Sequence, residues 1–212
     1  MRKLLLIGAG GHCQSVFESI EDGIYSEVYG IDLPDNIGKV IGGVKIIGSD
    51  DDLSQLYLDG FTDAFITLGT IGDSRRRRKL YEILKDIGYN IPLIVDKTSI
   101  ISKSASISEG TYIGKGCIIN AGVSLGCCCI VNTKTSVDHG SKVGDFVNLA
   151  PGGTISGDVS IGNDTHVGTG SIIIQGIQIG NNTMIGAGSV VVKDIQSNVV
   201  AYGVPCKQQK ER

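Results

Sequence analysis

By their ordinary pKa, only three side chains in this chain change charge near neutral pH: His12, His139 and His166. His12 closes the run Gly8-Ala9-Gly10-Gly11-His12. Glycines there let backbone N–H groups approach a phosphate closely, with the imidazole beside it. His139 ends the polar stretch Asn132-Thr133-Lys134-Thr135-Ser136-Val137-Asp138-His139, where an imidazole can accept a proton from a nucleophile. His166 has no such companions. The six cysteines show no ligand spacing. Cys127-Cys128-Cys129 are consecutive, so they read as small apolar fillers in a reducing compartment, and no metal site is expected.

The elements that must position His139 follow from a repeat. From Ile101 to Val191 the chain carries Ile, Leu or Val at every sixth residue, through Ile107, Ile113, Ile119, Leu125, Val131, Val137 and onward without a slip. Four residues after each stands a mostly small residue, such as Ala105, Cys117, Cys129, Ser141 or Gly153. A fixed apolar phase of this kind marks a solenoid of short strands and turns, each hexad giving one side and one corner of a coil. A β-sandwich would instead show period-two alternation and irregular loops. The second position is often glycine (Gly114, Gly126, Gly144, Gly162, Gly168, Gly180, Gly186), which suits positive φ or close backbone approach. His139 is the third residue of the hexad that begins at Val137, so it projects from the coil. His166 holds the sixth place of its own hexad.

The first third lacks the repeat. Lys3–Ile7 reads as a strand, followed by the glycine loop and a helix through Val16, Phe17 and Ile20. Glu27–Ile31 is a second strand ending at Asp32. Ala64–Leu68, ended by Gly69, is a third. Ser74–Ile87 reads as a helix, and Pro92–Val95 leads into the repeat. Alternating strand and helix predict a small parallel sheet with flanking helices. A glycine loop after the first strand, with an acidic residue after the second, is the arrangement that cradles a nucleotide. The loop is shorter and looser than the dinucleotide fingerprint, with Gln14 where a later glycine would stand. The domains predicted are 1–96, a Rossmann-like nucleotide-binding domain, and 97–212, the repeat with its tail.

Nineteen basic against 22 acidic residues give a net charge of −3, which argues against a nucleic-acid surface. Arg75–Arg78 is the one basic cluster and reads as a solvated helix face rather than a phosphate clamp. No membrane-spanning run and no leader are visible, and a cytoplasmic protein is expected.

The glycine loop joined to hexads, and the ending Gly203-Val204-Pro205-Cys206-Lys207, resemble one subgroup of hexapeptide-repeat acyltransferases over essentially the whole chain. These are the NeuD-type sialic-acid O-acetyltransferases and the PglD-type nucleotide-amino-sugar N-acetyltransferases. The resemblance implies an α/β domain followed by an all-β left-handed parallel β-helix, three hexads to a coil. It implies Gly8, Gly10, Gly11, His12, Asp32 and Gly69 as nucleotide-sugar contacts. It also implies His139 as general base, Gly157 as oxyanion donor, and Asn132 as a group that binds substrate or fixes the imidazole. Acetyl-CoA is the implied cosubstrate, with Gly157, Gly186, Ala187, Gly188 and Lys207 as its contacts, and a homotrimer binds it between subunits. The expected activity is acetyl transfer to the amine of a UDP-linked 4-amino-4,6-dideoxy sugar for bacterial glycan biosynthesis. O-acetylation of a sialic-acid-type sugar and a non-catalytic sugar-nucleotide-binding role are the alternatives. Two positions depart from the pattern: Gly140, where PglD-type enzymes carry Glu, and Asn148, where some relatives carry His.

Overall fold

The computed structural model describes residues 2–212. The chain divides into two compact units, one of residues 1–70 with 75–94, the other of 71–74 with 95–212.

In the first unit, β1 (Arg2–Ile7) lies between β2 (Tyr25–Ile31) and β5 (Asp63–Ile66), parallel to both. The five-stranded sheet is completed by β4 (Val44–Gly48), parallel to β2, and β3 (Val40–Ile41), antiparallel to β4. The Leu4–Ile7 run is buried throughout, as a strand covered on both faces requires. Helices α1 (Gly11–Phe17), α2 (Leu53–Leu58) and α3 (Arg75–Ile87) flank the sheet. Leu53 and Leu56 of α2 and Leu80 and Leu84 of α3 meet Leu5, Ile7, Ala64 and Ile66 in one core. β3, β4 and α2 lie in the segment that the sequence reading left without elements. Strands so short, and a six-residue helix, carry too few periods to declare themselves.

The second unit is the left-handed β-helix. Two-residue strands recur every six residues, and each pairs in parallel with the strand 18 residues on, as Ile118–Ile119 does with Ser136–Val137 and that with Thr154–Ile155. Three sheets result, and the first residue of each hexad points inward. Ile119, Val137, Ile155 and Ile173 are 0–1% exposed and stack in one column of the core.

The glycines of the second position serve close approach alone. None of them has positive φ, and a Cβ on Gly126 would stand 2.6 Å from the Gly144 carbonyl carbon. Positive φ belongs instead to the fourth position. It holds at every sixth residue from Gly110 to Gly188, including Cys128, Lys134, Phe146, Asp158, Asp164 and Asn182. The corner itself therefore demands a left-handed residue, whichever side chain it carries.

These two glycine roles separate experimentally. Gly152 has φ +69°, but an added Cβ meets its nearest atom only at 4.0 Å. Gly152→Ala is expected to cost about 1–2 kcal/mol, the left-handed penalty alone. Gly126→Ala forces two coils apart and is expected to cost more. Chemical denaturation of the two variants checks the order.

Candidate active site

The first cluster sits at the C-terminal ends of β1, β2 and β5. There the strand order turns to opposite sides of β1, the place where open α/β sheets hold ligands. Gly8 has φ +99°, and a Cβ there would collide with Leu68 Cδ2. Its N–H donates to Ile31 O (2.9 Å), and its carbonyl accepts from Thr67 Oγ1 (2.6 Å). Gly10 and Gly11 differ: a Cβ on either meets nothing within 4 Å, so the fold leaves open space over them. A Cβ on Gly69 would lie 3.4 Å from His12 Cβ, so these two predicted contacts are neighbours.

Asp32 is an internal brace. One carboxylate oxygen accepts the Ala9 N–H at 2.6 Å, and the other accepts Leu33 N–H at 2.8 Å and Asn36 Nδ2 at 2.9 Å. Burial acts to raise this carboxyl. The donors from Leu33, Asn36 and Ala9, with Arg76, outweigh it and hold the group below its ordinary range. His12 is pushed down to about 4 by burial and by the Arg77 guanidinium. It is therefore a neutral imidazole at pH 7, a hydrogen-bonding group rather than a cation.

The arginine run is not one solvated face. Arg77 is 1% exposed, inside the unit. Arg76 lines a cleft of about 140 Å³ with Gly8, Asp32, Leu33, Asp50 and Leu68, and its guanidinium stands 3.8 Å from Asp50. Asp50 and Arg76 are site residues that sequence reasoning missed. Period alone does not tell which member of a basic run turns toward a neighbouring loop.

The second cluster is a corner of the β-helix. The His139 ring lies on the α-carbon of Gly157, eighteen residues on: a Cβ at 157 would stand 2.5 Å from Cε1 and 2.6 Å from Nε2. His139 itself is exposed. Among the described residues no acceptor takes the Gly157 N–H, whereas the N–H groups on either side donate to Ile173 O and His139 O. The corner thus joins an exposed imidazole to an uncommitted backbone donor. A base and an oxyanion donor are what attack on a thioester carbonyl needs. Asp138 does not serve the ring. Its Oδ1 accepts the His139 backbone N–H (2.7 Å) and Asn120 Nδ2 (3.0 Å).

Asn132 stands at a different corner, one hexad earlier. Its Nδ2 donates to Asn148 Oδ1 (3.0 Å) and Leu149 O (3.2 Å), so the group it offers a ligand is its oxygen. Gly186, Ala187 and Gly188 fall on the same ridge as Asn132, three coils further along. Lys207 is exposed at the start of the last strand, Lys207–Glu211. The fold therefore unites His139 with Gly157 and sets Asn132 with Gly186–Gly188 on a separate ridge. His166 is 7% exposed, and burial, then Arg212, push it down. A groove of about 640 Å³ runs along another face, and no predicted site residue lines it. The described residues hold no cluster of metal-ligating side chains and no helix long and apolar enough to cross a membrane.

Residues 3–84 match the PglD N-terminal domain family. Residues 102–131 match the hexapeptide repeat of succinyl-transferase, and 158–193 the bacterial transferase hexapeptide family. A histidine-to-asparagine variant of perosamine N-acetyltransferase from Caulobacter crescentus, in complex with CoA and GDP-perosamine, is 32% identical. The match covers 100% of this chain and 98% of that one, with a TM-score of 0.92. This chain belongs to the NeuD/PglD-type family of hexapeptide-repeat sugar acetyltransferases. The acetyltransferase domain of PglB from Neisseria gonorrhoeae FA1090, in complex with acetyl coenzyme A, is also 32% identical over 98% of this chain and 99% of that one, TM-score 0.91. WeeI from Acinetobacter baumannii AYE, 22% identical over 99% of this chain and 100% of that one with a TM-score of 0.84, shares the fold. The NeuD/PglD-type protein described here is thus an acyltransferase of the sugar N-acetyltransferase kind, with acetyl-CoA as cosubstrate.

A neutral, half-buried His12 ties stability to pH. Its folded pKa lies below the unfolded value of about 6.5, so the unfolded chain binds more protons between pH 6.5 and 4. Stability is complete above 6.5 and falls as pH drops through that window, by up to about 3 kcal/mol from this group. His12→Gln is expected to flatten the fall in urea titrations at pH 7 and pH 4.5.

Proposed function

We propose that this protein transfers an acetyl group from acetyl-CoA to the amine of a nucleotide-linked 4-amino-4,6-dideoxy sugar in bacterial glycan biosynthesis. The observation that carries the reading is the His139 ring seated on Gly157 beside that residue's uncommitted N–H. His139 removes a proton as the amine nitrogen attacks the thioester carbonyl. The Gly157 N–H stabilises the developing oxyanion. The C–N bond forms, the C–S bond breaks, and the proton passes from the imidazole to the departing CoA sulfur. Transfer is direct, with no acyl-enzyme.

The sugar nucleotide occupies the first unit's cleft, with Gly8, Gly10, Gly11, His12 and Gly69 around its phosphates and Asp32 bracing the loop. Open space over Gly10 and Gly11 supports this placement. The resemblance assigns the nucleotide as UDP. The Caulobacter protein holds GDP-perosamine, which makes GDP the competing assignment. CoA runs along the ridge of Gly186, Ala187 and Gly188 toward Lys207. Because Asn132 and that ridge stand apart from His139 in one chain, a homotrimer is the proposed working unit. One subunit's Asn132 ridge then faces the His139 corner of the next. The cytoplasm, where acetyl-CoA is made, is the proposed location.

The test is incubation with acetyl-CoA and the UDP- or GDP-linked amino sugar, following thiol release and product mass. A product heavier by one acetyl group is expected. His139→Ala should lower kcat by about 10²–10⁴. Gly157→Ala, whose Cβ displaces the ring, should lower it with the fold intact. Full turnover by His139→Ala overturns the mechanism.

A further inference from the structure

The cleft of the first unit holds a charged pair that neither the phosphates nor the acetyl transfer uses. The cleft is about 140 Å³ and is formed where β1 and β2 end, with the first turn of α3 beside it. Two carboxylates line it, Asp32 and Asp50. Both oxygens of Asp32 are committed, one to the Ala9 N–H and the other to the Leu33 N–H and the Asn36 amide. Asp52, two residues beyond Asp50, is committed too: its Oδ2 accepts the Ser49 N–H (2.8 Å) and Ser49 Oγ (3.1 Å). Among the described residues Asp50 has one partner, the Arg76 guanidinium at 3.8 Å. That distance is an ion pair, too long for a hydrogen bond. Both Asp50 oxygens therefore keep their capacity to accept.

Leu33 and Leu68 supply apolar wall in the same cleft. Leu33 is 60% exposed, so apolar surface lies open beside the two charges. A flat ring laid on Leu33 covers that surface and turns its edge to Asp50 and Arg76. A guanidinium next to a carboxylate presents donors followed by two acceptors. The edge that matches is an acceptor followed by two donors. Guanine has this order in O6, N1–H and N2–H. Uracil presents O4, N3–H and O2, which sets a carbonyl oxygen against the second carboxylate oxygen. Adenine and cytosine each bring one amine to the carboxylate, where guanine brings two N–H groups.

We infer that Asp50 and Arg76 read the base of the sugar nucleotide and select guanine, Asp50 accepting N1–H and N2–H while Arg76 donates to O6, so that the sugar carrier is GDP. The inference deepens the proposed function and rests on the sugar nucleotide occupying this cleft. It gives the two residues different work. Arg76 meets any base with a carbonyl oxygen at that place, and it offsets the charge that Asp50 would otherwise set against the diphosphate. Asp50 alone tells guanine from uracil, because only its second oxygen meets a donor in one base and an acceptor in the other.

The test is titration calorimetry of the full chain with GDP, UDP and IDP, the last being the analogue of GDP that lacks the N2 amine. The wild type is expected to bind GDP at least about tenfold more tightly than UDP, and IDP about tenfold more weakly than GDP. Asp50→Ala should abolish both differences while keeping the thermal midpoint. Arg76→Gln should weaken all three nucleotides and leave GDP ahead of IDP. A wild type that binds UDP as tightly as GDP overturns the proposal. So does an Asp50→Ala variant that keeps the preference for GDP over UDP and IDP, or failure of all three nucleotides to bind. The acetyl-transfer assay keeps the two readings apart. A GDP preference lost in Asp50→Ala, with no transfer to either sugar nucleotide, upholds this inference and sinks the function. Transfer to the UDP-linked sugar without any preference for GDP does the reverse.

Discussion

Residue i lying over residue i + 18 is the constraint from which the His139 corner follows. Parallel pairing of two-residue strands fixes that offset on all three faces, with Val137 beside Ile155 and Val143 beside Ile161. Along one corner of the coil the offset is used to satisfy the backbone. Asp145 caps the N–H of Cys127, Asn163 that of Asp145, and Asn181 that of Asn163, each reaching back one coil. At the His139 corner the residue one coil on is Gly157, which has no side chain to reach back. The His139 N–H turns instead to Asp138 in its own coil. Glycine at 157 leaves the gap into which the imidazole folds, and Gln175, one coil further on, turns to Asp158 rather than to the Gly157 N–H.

The offset also explains which parts of the molecule the sequence declares. An apolar residue at every sixth place has one structural meaning, so the solenoid and the outward direction of His139 are legible in the chain. The pairing of His139 with Gly157 is carried by the family resemblance instead, because the repeat alone does not say how many hexads make a coil. The corner conformation is not, because it is set by the coil and tolerated by Lys134 and Phe146 as well as by glycine. Assigning positive φ to the second-position glycines follows composition where geometry decides. In the first unit the glycine loop and Asp32 are visible, but the fate of Arg77 is not. Burial of a cation inside a run of four arginines contradicts the ordinary solvation argument for charged runs.

The first unit handles charge with few free cations. Asp32, which by analogy with dinucleotide sites accepts a ribose hydroxyl, has three protein donors already. Its work is to hold Ala9, and with it the loop, against the end of β2. His12 is neutral, and Arg77 lies out of solvent. What remains for an anion is backbone N–H over Gly10 and Gly11, with Arg76 at the rim beside Asp50. Under the proposed function, backbone donors would hold the diphosphate by direction rather than by net charge, which suits a site that must release its product.

A corner of a triangular coil is convex, and a convex edge encloses nothing. His139 is exposed on such an edge. Attack by an amine on a thioester gains from a dry, closed pocket, because water weakens both the oxyanion contact and the base. No rearrangement of one β-helix supplies that enclosure: its corners are fixed by continuous ladders on three sides. Under the proposed function the missing wall comes from a second surface of complementary regularity. The ridge of Asn132, with its amide hydrogens tied down by Asn148 and Leu149 and its oxygen left over, has that regularity at the same height along the coil. Under the proposed function, the rigidity that makes one chain unable to close its own site is also what lets an identical chain close it in register.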